Sequence, residues 1–196
     1  MCIIKKRFSA VFTLAAVAII SNPASAAENE TETKPTVSVQ GGTLQMQGSV
    51  VNTPCAIDND SASQSIALGQ LRTAEINDKN KVSSPVDFSI KLIGCAIDTY
   101  SKASVTFSGN TLAGHSMALA PVGSQANSTV AKGIGIQILQ DGNAVQVDGE
   151  KATAAKSLNS GNSDLKFQAQ YIAMGQATEV TPGAANANVS FTVNYQ

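Results

Sequence analysis

The last ten residues, Ala187-Asn188-Val189-Ser190-Phe191-Thr192-Val193-Asn194-Tyr195-Gln196, alternate apolar and polar side chains without a break. Successive side chains of an extended chain point to opposite faces. Val189, Phe191, Val193 and Tyr195 therefore share one face, and Ser190, Thr192 and Asn194 share the other. A helix would need apolar residues three and four apart, which this stretch lacks. It reads as a strand with one face toward a core. A long apolar strand at a chain end can leave an edge of unpaired N–H and C=O groups, which invites pairing with another chain.

The same period recurs upstream. Phe88, Ile90 and Leu92 alternate, as do Ile134, Ile136 and Ile138, and then Phe167, Ala169 and Tyr171. Val37 and Val39 alternate, Gly41-Gly42 interrupts, and Leu44 and Met46 resume on the other parity. Each run offers one apolar face to a core. Turn residues separate the runs: Ser108-Gly109-Asn110, Asn159-Ser160-Gly161-Asn162, and Asp141-Gly142-Asn143 between Ile134–Gln140 and Ala144–Val147, a strong hairpin signal. No segment sustains a 3.6-residue apolar period, although Leu71 to Ile76 suits a single helical turn. Many short strands with regular turns predict an all-β sandwich without internal repeats or a second domain.

The chain has 196 residues, with 13 Lys+Arg against 14 Asp+Glu. The balance is not basic, so no nucleic-acid partner is implied. Lys5, Lys6 and Arg7 precede an apolar run from Ala10 to Ile20, and Ala24-Ser25-Ala26 follows Pro23. Residues 1–26 thus read as a secretory signal, since the apolar run is far shorter than the roughly 20 residues of a membrane span. Its removal takes away three positive charges and leaves ten against 14, a net charge of −4. Cys2 leaves too, so Cys55 and Cys95 remain as an even pair in an exported chain. An oxidising compartment favours a disulfide between them over two buried thiols. Residues Glu28 to Pro35 are polar and acidic and read as a flexible leader.

Chemistry for catalysis is sparse. His115 is the single histidine, and Ala113-Gly114-His115-Ser116 reads as a loop, where a solvated side chain is the ordinary reading. Asp58-Asn59-Asp60 opens like a calcium loop, but Ser63 stands where that loop needs Gly, and no Glu closes it. Gly133-Ile134-Gly135 lacks the strand-then-helix setting of a phosphate loop. Asn29-Glu30-Thr31, Asn127-Ser128-Thr129 and Asn188-Val189-Ser190 fit glycan-acceptor triplets, which are common by chance. No metal, cofactor or enzymatic activity is expected. The composition also suits a secreted monomeric carbohydrate-binding sandwich, although the absence of Trp weighs against one.

The two ends carry the informative pattern. Residues 41–58, Gly-Gly-Thr-Leu-Gln-Met-Gln-Gly-Ser-Val-Val-Asn-Thr-Pro-Cys-Ala-Ile-Asp, closely resemble the start of type 1 fimbrial major subunits, the chaperone–usher pilins. Leu68-Gly69-Gln70-Leu71-Arg72-Thr73, residues 133–139, Phe167-Gln168-Ala169-Gln170-Tyr171, residues 181–187 and the penultimate Tyr195 are similar to further signatures of that family. Gly183 stands fourteenth from the C-terminus, where the family's terminal motif has a glycine. The resemblance implies an incomplete immunoglobulin-like β-sandwich whose missing last strand is supplied by a neighbouring subunit.

It also implies the partners: neighbouring pilin subunits in a homopolymer, a periplasmic chaperone and an outer-membrane usher, without direct membrane insertion. The donor segment carried over is Val37, Val39, Gly41 or Gly42, Leu44 and Met46. The strand facing chaperone and usher is Val189, Phe191, Val193 and Tyr195, with Gly183 ahead of it. The expected organisation is a signal peptide at 1–26, a leader and donor extension at 27–47, and a pilin domain at 48–196. The product would be exported through the periplasm to a cell-surface fimbrium, as a rod subunit that supports adhesion. The lead-in Ala27–Thr36 is longer and more acidic than is usual for the family, and the parity change at Gly41-Gly42 leaves the donor register open.

Overall fold

A computed structural model describes residues 36–76, 78–123 and 128–196. The signal segment and most of the leader lie outside these residues, as do Asn29 and Asn127. No helix among the described residues is long and apolar enough to cross a membrane. The chain divides into one unit ending at Gln47 and a second, Gly48–Gln196.

In the first unit the described residues form no regular secondary structure. Val37, Val39, Leu44 and Met46 are 83–87% exposed, so within this unit their apolar face packs on no core. A strand satisfies its backbone only beside another strand, so alternation alone does not make one.

The second unit is all-β apart from short turns. Ten strands form two antiparallel sheets: β1 (Ala56–Ile57), β2 (Val86–Cys95), β3 (Lys102–Gly109), β4 (Thr111–Leu112), β5 (His115–Leu119), β6 (Ile134–Gln140), β7 (Asn143–Ala144), β8 (Lys156–Ser157), β9 (Gly161–Ala173) and β10 (Val189–Tyr195). The larger sheet runs β1-β2-β9-β6-β5-β4, with β7 also paired to β6; the smaller runs β10-β3-β8. The predicted hairpin is present. Gln140 pairs with Asn143 across Asp141-Gly142, both at positive φ (51° and 78°), as a two-residue primed turn requires. Its return strand is shorter than the predicted Ala144–Val147, because beyond Val145 the backbone turns to other partners: Val147 N–H donates to the Ser116 carbonyl at 2.8 Å.

Two local readings change. Asp58-Asn59-Asp60 opens a four-residue helix, α1 (Asn59–Ala62), capped by the Asp58 carboxylate, which accepts from Asp60 N–H; a helix this short leaves no periodic signal. His115 is an exposed first residue of β5 rather than a loop residue. The expected single turn near Leu71–Ile76 is a 3₁₀ turn over Thr73–Glu75.

The core lies between the sheets. Ile90 and Leu92 of β2, Leu165 and Phe167 of β9, and Val105 and Phe107 of β3 are at most 2% exposed. Phe107 meets Phe167 edge-on, with ring centroids 5.1 Å apart at 88°; this geometry sets a ring's positive edge against its neighbour's negative face. A Cys55–Cys95 disulfide, 40 residues apart in sequence, ties the entry of β1 to the end of β2. Both cysteines are buried.

Candidate functional site

Of the two long strands in the smaller sheet, one has a neighbour on both sides and the other does not. β3 bonds on one side to β10 and on the other to β8 and residues 147–153. Among the described residues β10 pairs with β3 alone. The phase of that ladder can be read directly. Gln196 and Lys102 exchange both backbone bonds at 2.9 Å, so by the alternation of antiparallel pairing Asn194, Thr192 and Ser190 are also hydrogen-bonded to β3. On β3, the carbonyls of Val105 and Phe107 accept from Thr153 and Gly149, away from β10, which fits the same phase. Val189, Phe191, Val193 and Tyr195 therefore aim their N–H and C=O groups at the side of β10 where no described strand lies.

Their side chains carry the second half of the feature. Phe191 stands opposite Phe107 and Val193 opposite Val105, on the core face of the same sheet. The β3 members are fully buried, whereas the β10 members are only half-buried. Beside them opens a groove of about 1030 Å³, floored by Phe88 and Ile90 of β2, Ile136 and Ile138 of β6, Ala169 of β9 and Phe107. Its far lip is formed by residues 61–69. Residues 63–71 make no backbone-to-backbone hydrogen bond among the described residues. An apolar slot thus runs between the open edge of β10 and a lip whose residues 63–69 pair with no other backbone among the described residues, which is the shape of one missing strand.

The strand enters this site through residues 180–188. Val180 is buried. Ala184 N–H donates to the Thr129 carbonyl at 2.7 Å, and Ala131 N–H donates to the Ala184 carbonyl at 2.9 Å. Gly183 allows this close approach: a Cβ there would fall 2.5 Å from Ala131 N, 2.6 Å from Val130 C and 2.7 Å from Thr129 O, all backbone. Gly183→Ala is expected to lower stability by about 1–3 kcal/mol through overpacking, seen as a lower urea midpoint with an unchanged slope.

Two tyrosines cross the site. Tyr171 Oη donates to the Ala185 carbonyl at 3.4 Å, and Tyr195 Oη donates to the Cys55 carbonyl at 3.2 Å. Burial pushes both hydroxyls above the usual tyrosine value of 10.0, so both remain protonated donors at neutral pH. The structure gathers Val189, Phe191, Val193 and Tyr195 on one open edge. Sequence reasoning missed the lip at 61–69, although Ile66 and Leu68 alternate there and would have marked it. Among the described residues, no group of three or more His, Cys, Asp or Glu could hold a metal ion.

Residues 44–196 match the model of the family described as fimbrial protein. The chain belongs to the fimbrial protein family. The type-1 fimbrial protein A chain of Escherichia coli K12 is 41% identical over 189 residues, 95% of this chain and 97% of that one. Two solved structures share the fold: a subunit of a chaperone–usher pilus, at 30% identity and TM-score 0.68 over 83% of this chain and all of that one, and the P pilus rod subunit PapA, at 29% identity and TM-score 0.61 over 74% of this chain and all of that one. This fimbrial protein is a structural subunit with an immunoglobulin-like sandwich lacking its final strand. The alternative of a monomeric carbohydrate-binding module is not favoured.

Proposed function

We propose that this subunit polymerises by donor-strand exchange: residues 37–46 of one copy fill the groove of the next, beside β10. The observation that carries this reading is the unpaired edge of β10 above an apolar groove. Val37, Val39, Leu44 and Met46 supply the complementary chemistry, because they are exposed and each gains about 1.5–3 kcal/mol on full burial. Strand addition of this kind draws affinity from main-chain hydrogen bonds and specificity from alternate side-chain pockets. Gly41 and Gly42 let the backbone change parity within the segment.

In this proposal residues 1–26 direct export, 27–47 form the leader and donor extension, and 48–196 form the pilin domain. A periplasmic chaperone covers Val189, Phe191, Val193 and Tyr195 first, since an uncovered apolar edge invites aggregation. An outer-membrane usher then exchanges the chaperone for the next subunit. The product is a rod on the cell surface that supports adhesion through non-covalent assembly, without catalysis. Deletion of residues 37–46 is expected to abolish surface fibres in electron micrographs while folded subunit still accumulates. Normal fibres from that deletion would overturn the assignment.

A further inference from the structure

We propose that Met46 is an oxidation site that decides whether a subunit can assemble: as a thioether it enters the groove, and as a sulfoxide it does not. This rests on the strand-exchange reading above. The chain has four methionines, the first of them Met1. Of the other three, Met46 is 87% exposed and Met117 of β5 is 45% exposed, while Met174, just past β9, is half-buried. Exposure governs how readily an oxidant reaches a sulfur, so Met46 reacts first. Neither Met117 nor Met174 lines the groove, and their oxidation leaves it unchanged.

The oxidant is a peroxide or a hypohalous acid. The sulfur lone pair attacks its oxygen, and an S–O bond forms as the O–O or O–halogen bond breaks. Water leaves from a peroxide, or a halide ion and a proton from the acid; sulfur loses two electrons and the oxidant gains them. The product matters because of where the side chain goes. Met46 shares a face of its segment with Leu44, opposite to Gln45 and Gln47. The groove floor holds Phe88, Phe107, Ile136 and Ile138. A thioether is soft and makes favourable contacts with aromatic rings such as these. A sulfoxide instead carries a polar oxygen, and burying a polar group without a hydrogen-bond donor is unfavourable. Phenylalanine and isoleucine side chains offer none. Tyr171 also lines the groove, but its hydroxyl already donates to the Ala185 carbonyl. Once Met46 is seated the floor encloses its sulfur, so oxidation acts before assembly and not after it.

The test uses the full exported chain as free subunit, with hydrogen peroxide as the oxidant and catalase to stop it. Mass spectrometry locates each sulfoxide, and light scattering with electron microscopy follows fibre growth. Met46 is expected to oxidise before Met117. Fibre growth should then slow about ten- to a hundredfold, the effect of one unpaired polar group in an apolar site. Met46→Leu keeps an apolar side chain at an exposed position and is expected to assemble at the parent rate before and after the same treatment. Met117→Leu should remain as sensitive as the parent. In fibres formed before treatment, Met46 should stay reduced. Growth of Met46-oxidised subunits at the parent rate, or an equal loss in Met46→Leu, would overturn the oxidation site; absence of fibres from the chain lacking residues 37–46 would then leave strand exchange standing. Oxidation of Met46 within fibres as fast as in the free subunit would overturn both.

Discussion

A subunit carrying Leu44→Asp together with Met46→Asp is expected to fold as stably as the parent and to form no fibres. The two side chains are 85% and 87% exposed in the described structure, so their replacement removes no core contact, and a change within about 0.5 kcal/mol is expected for the folded domain. In the groove the same residues would meet Ile136, Ile138, Phe88 and Phe107. Each loses about 1.5–3 kcal/mol of apolar burial. Each carboxylate must also shed its water with no cation to receive it, at several kcal/mol per charge. The two penalties together exceed what one strand of main-chain pairing restores. Circular dichroism melts and electron microscopy separate the two outcomes: an unchanged midpoint with fibres absent supports the donor role, and abundant fibres remove it. A lowered midpoint would instead mean that residues 44 and 46 belong to the fold.

The second large effect concerns the disulfide. Cys55→Ala with Cys95→Ala is expected to destabilise the subunit by about 4 kcal/mol, because opening a 40-residue loop returns that much chain entropy to the unfolded state. For a domain of this size that corresponds to a fall in melting temperature of about 8–16 °C. Alanine is chosen because both positions are buried and a serine hydroxyl would add its own cost. The bridge also fixes the Cys55 carbonyl that receives the Tyr195 hydroxyl, so its loss should loosen the end of β10 as well. Scanning calorimetry measures the first effect, and exchange of the Tyr195 amide measures the second. A shift below about 3 °C would show that packing around the cysteines, and not the covalent link, holds β1 to β2.

Most of the fold was legible because its signals are local. Period-two runs at Phe88–Leu92, Ile134–Ile138, Phe167–Tyr171 and Val189–Tyr195 each became strands, and Asp141-Gly142 became the hairpin turn that its conformational preference dictates. Helix α1 gave no such signal. Helix α1 is one turn long and rests on the Asp58 cap and on Ser61, whose Oγ accepts from Lys91 N–H at 2.9 Å, a contact 30 residues distant. The lip alternates only at Ile66 and Leu68, and its residues 63–69 pair with no other backbone among the described residues, so it reads as neither strand nor turn. The run at Val37–Met46 has the strand period without a neighbouring strand among the described residues.

By itself the amino-acid sequence determined the sandwich class, the pairing of Cys55 with Cys95, the apolar face of the last strand and the family. Each follows from spacing, composition or motif along the chain. Only the tertiary structure decided that β10 is an edge, which of its backbone groups are free and where the groove ends. Val189, Phe191, Val193 and Tyr195 would alternate identically with one neighbouring strand or two. Whether an N–H is satisfied depends on what lies 5 Å to its side, and that is set by residues far away in the sequence, here Lys102–Gly109 on one flank and an empty slot on the other.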